Sequence, residues 1–303
     1  MKILGTGLDG MVGSRIVELL NSKHEFENLS LSTGIDITNK KVVLERIKNS
    51  DAKIVLHLAA KTDVDSCELD RALREKGDAW KINVTGTQNI ADACLQSNKK
   101  IIYISTDFVF DGAREAYSEE DIPNPLNWYA QTKYAGEKIV QNSKNPWMII
   151  RIAYPYRVSF ERLDFVRVIL KRLQNGLIVA AVTDHIFTPT FIDDIAFALD
   201  TLIKNNSQGI FHVVGSQDLT PFAAANLIAD EFGLDKSKII KTTRAEFFKG
   251  RAPRPFQLAL KNDKILKLGV RMRTFEEGLK DILKSSKRTF LCGGGAIQDD
   301  TER

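Results

Sequence analysis

Cysteine is scarce in this chain of 303 residues: Cys67, Cys94 and Cys292 share no CxxC spacing, and only four histidines accompany them. A disulfide framework and a zinc site are therefore not indicated, and the thiols are expected to be buried or free. An excess of one charge is also lacking, since 43 Lys and Arg face 39 Asp and Glu for a net charge of +4 spread along the chain. Nucleic-acid binding calls for a concentrated basic surface, so none is expected. No apolar run reaches the roughly 20 residues of a membrane span. Met1-Lys2 leads straight into a strand-like segment without the marks of a signal peptide, which points to a cytoplasmic protein. What is present, 43% hydrophobic and 27% charged residues, suits a globular chain of one or two domains with a sizeable core.

The first half alternates in type. Strand-like runs at Lys2 to Leu4, Leu29 to Leu31, Ile54 to Leu58 and Ile101 to Ser105 are separated by helix-like Met11 to Leu20, Lys41 to Ile47 and Ala79 to Cys94. Such a βαβα rhythm predicts a parallel sheet covered on both faces. In the first helix Val12, Ile16, Leu19 and Leu20 share one side while Ser14, Arg15 and Glu18 take the other, so one face packs on the sheet. After a strand at Trp147 to Arg151 the rhythm breaks. A helix at Phe165 to Leu173, a strand at Ile178 to Val182, a turn at Pro189 and a helix from Asp193 follow, then a strand at Gly209 to Val214 and helices at Pro221 to Phe232 and Phe275 to Leu283. This reads as a second, smaller region, ending in a segment 285–303 that is expected to be disordered.

Thr6-Gly7-Leu8-Asp9-Gly10-Met11-Val12-Gly13 stands between the first strand and the first helix. Glycines in that position let the backbone approach a pyrophosphate, and the helix N-terminus offers it free N–H groups. Gly5-x-Gly7-x-x-Gly10 fits the same fingerprint, so two frames are open. The end of the second strand, where a carboxylate usually receives the ribose 2′-hydroxyl, reads Ser30-Leu31-Ser32-Thr33. It holds neither a carboxylate nor an Arg, and limited discrimination between NADH and NADPH is expected.

Tyr129 and Lys133 lie four residues apart, a spacing that brings both to one helical face. There the ammonium can lower the tyrosine pKa, so that Tyr129 protonates a carbonyl undergoing reduction while Lys133 also holds the nicotinamide ribose. Ile101 to Ile104 runs into Ser105-Thr106-Asp107 at a strand end, where α/β sheets meet ligands, and Thr106 is placed to bond the substrate carbonyl.

Thr6 to Gly13 as TGxxGxxG, His57-Leu58-Ala59-Ala60, Asn83-Val84-Thr85-Gly86-Thr87 and the set Thr106, Tyr129, Lys133 together resemble the extended short-chain dehydrogenase/reductases. Within that group Ser105 to Gly112, Asp184 to Thr190 and Arg254-Pro255 before Leu260 resemble the dTDP-4-dehydrorhamnose reductases, over residues 1 to about 284. The resemblance implies an α/β fold, a Rossmann-type doubly wound parallel sheet with a smaller C-terminal α/β substrate domain. Residues 1–153 and 186–214 would form the first and 154–185 and 215–284 the second. It implies reduction of the 4-keto group of a nucleotide-linked 6-deoxysugar, with hydride from NADPH or NADH. By position, Gly7, Gly10, Met11, Val12 and Gly13 would meet the pyrophosphate, Asp36 and Ile37 the adenosine, and Ala59, Ala60 and Lys61 the stretch between ribose and nicotinamide. Thr106, Asp107 and Tyr154 would contact the sugar. Some members bind magnesium, but no carboxylate set here matches such a site, and a homodimer is consistent with the resemblance.

Several positions depart from the family pattern. Tyr154 replaces a Trp, His185 and Phe187 stand where Gln and Gly are usual, and Phe108 replaces a Tyr. These departures imply an altered sugar pocket beside retained chemistry. A dehydratase is disfavoured, because Thr106-Asp107 is followed by Phe108 and not by a Glu. An epimerase-reductase of the GDP-fucose type is disfavoured because neither Cys67 nor Cys94 sits at the corresponding strand end. The alternative from another class is a partner-binding subunit, since Tyr117 to Lys133 also resembles the regulatory β subunit of methionine adenosyltransferase.

Overall fold

The computed structural model describes the backbone of residues 1–292 and the side chains of residues 1–285. Segments apolar on both faces lie in the middle of a sheet, and those with acidic residues lie at its edge. All four residues of Ile54–His57 and all seven of Lys100–Thr106 are buried, whereas Glu25–Leu29 begins exposed. Taking the strands as β1 (Lys2–Thr6), β2 (Glu25–Leu29), β3 (Ile54–His57), β4 (Lys100–Thr106), β5 (Trp147–Ile152) and β6 (Gly209–His212), the order is β2-β1-β3-β4-β5-β6 and every pairing is parallel. The connections diverge between β1 and β3, which opens a crevice beyond the carboxyl ends of the strands. This is the expected Rossmann-type sheet.

Alternate residues of each strand feed two cores. Ile3, Leu56, Ile102 and Ile150 pack under Ile16 and Leu20 of α1 (Met11–Leu20) and under Leu199 and Leu202 of the helix Ile192–Lys204. On the other face Leu4, Val55, Ile101 and Ile149 meet Val43 and Ile47 of α2 (Lys40–Asn49), together with Ile90 and Cys94. Salt bridges tie α1 to the helix Ile192–Lys204, where Arg15 Nε donates to Asp193 at 2.6 Å. His24 Nε2 lies 2.9 Å from Asp200, whose carboxyl is held low by Lys204, Lys23 and His24 against the cost of its desolvation.

Two expectations shift. β2 is Glu25–Leu29, so it ends where the strand read at Leu29 to Leu31 was to begin, and Leu31 opens a 3₁₀ turn that runs to Thr33. An edge strand is half solvated, so Glu25 and Glu27 are tolerated and a search for apolar runs slides too far along the chain. The helix read over Ala79 to Cys94 is continuous but changes type, running as α over Asp78–Trp80, π over Lys81–Gly86 and α again over Thr87–Gln96.

The second region is built on short parallel pairs: Pro155–Tyr156 with Thr190–Phe191, Ile186–Phe187 with Gln257–Leu258, and Val179–Val182 with Ile239–Thr242. Its helix Pro221–Phe232 starts where Thr220 accepts the Ala223 N–H and Pro221 fixes the first turn, and it stops at Gly233 with φ 64°. Tyr156, Phe187, Phe191, Phe275 and Leu279 form its core. Ile265, Val270 and Met272, although placed by sequence in this region, join the core beneath the main sheet. The last helix, expected to end at Leu283, continues to Cys292 into the segment read as a disordered tail, while residues 293–303 and the Cys292 thiol lie outside the description. Cys67 and Cys94 are buried free thiols. Among the described residues no helix is long and apolar enough to cross a membrane, and no group of three or more His, Cys, Asp or Glu is placed to hold a metal ion.

Candidate active site

A cavity of about 1190 Å³ opens beyond the carboxyl ends of the strands, between the sheet and the segments 152–165 and 248–254. Gly7, Gly10, Met11, Val12, Gly13, Asp36, Ile37, Ala59 and Ala60 line one side. Thr106, Asp107, Tyr129, Lys133 and Tyr154 line the other. Of the site residues read from sequence, Lys61 alone does not line it: its ammonium pairs with Asp70 at 2.8 Å.

The structure selects one of the two glycine frames. Gly5 is buried inside β1, where a Cβ would strike the Leu8 side chain at 2.5 Å, so its small size serves packing. Gly7 has φ 69°, and a Cβ there would come within 2.8 Å of the Ala59 nitrogen; at Gly13 it would lie 2.5 Å from the Gly7 carbonyl oxygen. These close approaches bring β1, β3 and α1 together. At Gly10, the residue preceding α1, a Cβ meets only the Gly7 oxygen, and no side chain caps the helix. An open turn with uncapped first-turn N–H groups beside a long cavity fits a dinucleotide pyrophosphate.

Beneath this turn runs a chain of buried hydrogen bonds. Thr87 Oγ1 donates to the Asn83 carbonyl at 2.7 Å, which leaves it to accept from His57 Nε2 at 3.0 Å. His57 Nδ1 then accepts from Thr6 Oγ1 at 2.7 Å, and that oxygen accepts the Ala59 N–H at 3.2 Å. One neutral tautomer satisfies every partner. Burial, reinforced by the Lys133 charge, pushes the His57 pKa down to about 3, so the ring stays neutral. Asn83 lies in the π stretch and clasps Lys61 through both backbone groups, accepting its N–H at 2.8 Å and donating to its carbonyl at 3.0 Å. The roles of His57 and Asn83 were missed. Both occur in motifs visible in the sequence, but the π turn that aims Asn83 has no sequence signal of its own.

Asn127 caps the helix Trp128–Asn142, which carries Tyr129 and Lys133. Lys133 Nζ donates to the Ile104 carbonyl at 2.8 Å and lies 4.1 Å from the centre of the Tyr103 ring. Burial lowers its pKa to about 7, with Glu137 opposing. The electrostatic half of the sequence reading therefore needs correction. Lys133 is turned toward Ile104, and the Tyr129 pKa is raised by burial, with Thr106 opposing. A phenol so placed stays protonated at neutral pH. Thr106 Oγ1 donates to Asp107 Oδ1 at 2.9 Å, while buried Asp107 Oδ2 has no hydrogen-bond partner. Desolvation lifts this carboxyl to about 7. The cavity thus brings together the Thr106 hydroxyl, the protonated Tyr129 phenol and the Asp107 carboxyl, of which the carboxyl alone titrates near neutrality.

On the opposite wall the departures from the family pattern prove to be layered. Tyr154 reaches the cavity with φ 39°, and its hydroxyl lies 3.0 Å from His185 Nε2. His185 Nδ1 faces the Pro255 and Phe256 carbonyls at 3.0 and 3.2 Å, so it carries the proton and Nε2 accepts from Tyr154. Neither His185 nor Phe187 lines the cavity. The Phe187 ring packs 4.5 Å from that of Tyr154, so both residues act through the tyrosine. Arg157, on the same segment, reaches back to α1, donating to the Met11 carbonyl at 3.1 Å, to Ser14 at 2.8 Å and to Glu18.

The end of β2 also differs from its sequence reading. Ser30 and Ser32 both donate to Asp9 Oδ2, at 2.9 and 2.7 Å, so the glycine turn brings a carboxylate to a strand end that has none of its own.

The family model described as the RmlD substrate binding domain matches residues 1–288. The dTDP-4-dehydrorhamnose reductase of Aggregatibacter actinomycetemcomitans is 30% identical over 294 residues, spanning 93% of this chain and 98% of that protein. The crystal structure of dTDP-4-dehydrorhamnose reductase from Bacillus anthracis in complex with NADP superposes with a TM-score of 0.85 at 29% identity, covering 94% of this chain and 99% of that one. Methionine adenosyltransferase 2 subunit beta of Mus musculus is 28% identical over 305 residues, 93% of this chain and 87% of that protein.

Proposed function

The chain belongs to the RmlD substrate binding domain family, and from that premise we propose that it is an oxidoreductase reducing the 4-keto group of a nucleotide-linked 6-deoxysugar. The observation that carries this reading is that Thr106, Tyr129 and Lys133 share one cavity with the Gly7-Gly10-Gly13 turn. A reduced nicotinamide dinucleotide, NADH or NADPH, supplies the hydride. Gly10, Met11, Val12 and Gly13 bind its pyrophosphate, Asp36 and Ile37 the adenosine, and Ala59, Ala60 and the Lys61 backbone the stretch leading to the nicotinamide. Thr106 hydrogen-bonds the ketone oxygen, and the Tyr129 hydroxyl gives its proton to that oxygen as the alcohol forms. Lys133 positions the nicotinamide ribose from the same helix. Asp107 and Tyr154 hold the sugar, and the segments 154–185 and 215–284 form its side of the site.

Incubation with NADH or NADPH and a panel of nucleotide-linked 4-keto-6-deoxysugars tests the reading by the loss of nicotinamide absorbance. Turnover of dTDP-4-dehydrorhamnose or a close analogue is expected, and no oxidation with any member would refute it. A partner-binding role is the second reading, favoured by the similarity to methionine adenosyltransferase 2 subunit beta. Dinucleotide binding without turnover of any sugar would support it.

A further inference from the structure

The carboxylate of Asp9 lies where sequence spacing alone leaves none. It projects from the glycine turn to the end of β2, where Ser30 and Ser32 both donate to Oδ2. Asn28 supports the arrangement by donating to Ser30 Oγ at 3.0 Å while accepting the Leu8 N–H at 3.3 Å. These bonds, that of Ser32 foremost, hold the Asp9 carboxyl below the usual range, so it is ionised at neutral pH. Its hydrogen-bond partners among the described residues are these neutral hydroxyls, and Asp36 is a second acidic residue lining the cavity. In parallel α/β sheets the end of the second strand receives the adenosine ribose, and a carboxylate there accepts from a free 2′-hydroxyl. A 2′-phosphate would meet unneutralised negative charge.

Building on the dinucleotide reading above, we propose that Asp9 selects the cofactor, favouring a dinucleotide with a free 2′-hydroxyl, NADH, over its 2′-phosphorylated counterpart. The carboxylate that usually comes from the second strand is supplied here by the turn after the first. This replaces the limited discrimination expected from Ser30, Ser32 and Thr33 alone.

Calorimetric titration of the full-length chain with NADH and with NADPH, without sugar, tests the assignment by binding alone. NADH is expected to bind at least about tenfold more tightly, with the gap narrowing as salt screens the repulsion. In Asp9→Asn, which removes the charge and keeps the shape, the ratio should fall toward one, mainly through tighter NADPH binding. Asp9→Ser provides a second neutral variant should the first fold poorly. Equal affinities in the native chain, or an unchanged ratio in both variants, would overturn the inference while leaving the dinucleotide reading intact. Failure of the native chain to bind either dinucleotide would overturn both.

Discussion

On the cofactor side of the cavity Thr6, His57, Thr87, Asn83 and Lys61 satisfy one another in a series of buried hydrogen bonds. On the sugar side Tyr154, Phe165, Phe187 and His185 meet mainly as rings, joined by one hydroxyl-to-imidazole contact. A fully satisfied polar network permits one arrangement, because each lost partner leaves a buried group unpaired. Packed rings tolerate exchanges that conserve volume. Under the proposed function the first wall would fix where hydride and proton are delivered, and the second could change its substrate without disturbing that chemistry.

The sharpest test of this division is Tyr129→Phe. Turnover should fall by about 10² to 10⁴ while calorimetric affinity for the dinucleotide is retained; undiminished turnover would remove Tyr129 from its role. Next in size is Glu137→Ala, which strips the carboxylate from Arg151, a buried pair that joins the helix Trp128–Asn142 to β5 with contacts of 2.9 and 2.8 Å. An orphaned buried charge costs about 3–5 kcal/mol. Phe187→Leu on the ring side should cost roughly 1–2 kcal/mol. Equal losses in urea unfolding would show that a buried polar pair is no less tolerant of change than the packed rings.

Asp107 gives an effect of comparable size with a definite sign. Its folded pKa of about 7 lies above the ordinary 3.8, so the protonated folded state is favoured and that stability is lost as pH rises from about 4 through about 7. Relative to Asp107→Asn, the native chain should lose up to about 1.4 kcal/mol per pH unit in that window. Parallel stability curves for the two proteins would show that the carboxyl is not desolvated. The smallest effect is expected of His185→Gln, which changes the support of Tyr154. KM for the sugar should shift by a few-fold, under about 1.4 kcal/mol, with dinucleotide affinity unchanged. A matching change in cofactor affinity would mean that the two walls are not independent.

Much of the cofactor side was legible because its residues follow the βα rhythm, and a glycine pattern between a strand and a helix has few other uses. The four-residue step from Tyr129 to Lys133 likewise translates directly into a shared helical face. Contacts between distant segments were not legible. Asp9 can be read as one of the residues between glycines, but its bonds to Ser30 and Ser32 depend on how two strand ends converge. The orientation of Lys133 toward Ile104 depends on β4 passing beneath the catalytic helix. Tyr154, His185 and Phe187 stood out equally in the sequence, and only the fold shows that one faces the cavity and two stand behind it.

Arg157 links the two sides of the cavity. It belongs to the segment that walls the proposed sugar site, yet its guanidinium grips Met11, Ser14 and Glu18 on the helix that starts at the glycine turn. If a dinucleotide steadies this turn, it would also steady the anchor of the opposite wall, and the sugar would meet a finished pocket only after the cofactor has arrived. The expected kinetic signature is a compulsory order of addition with the dinucleotide leading and its oxidised form leaving last. Arg157→Met should loosen that order toward random addition, whereas a native enzyme that already accepts either reactant first would show that the clasp serves the fold alone.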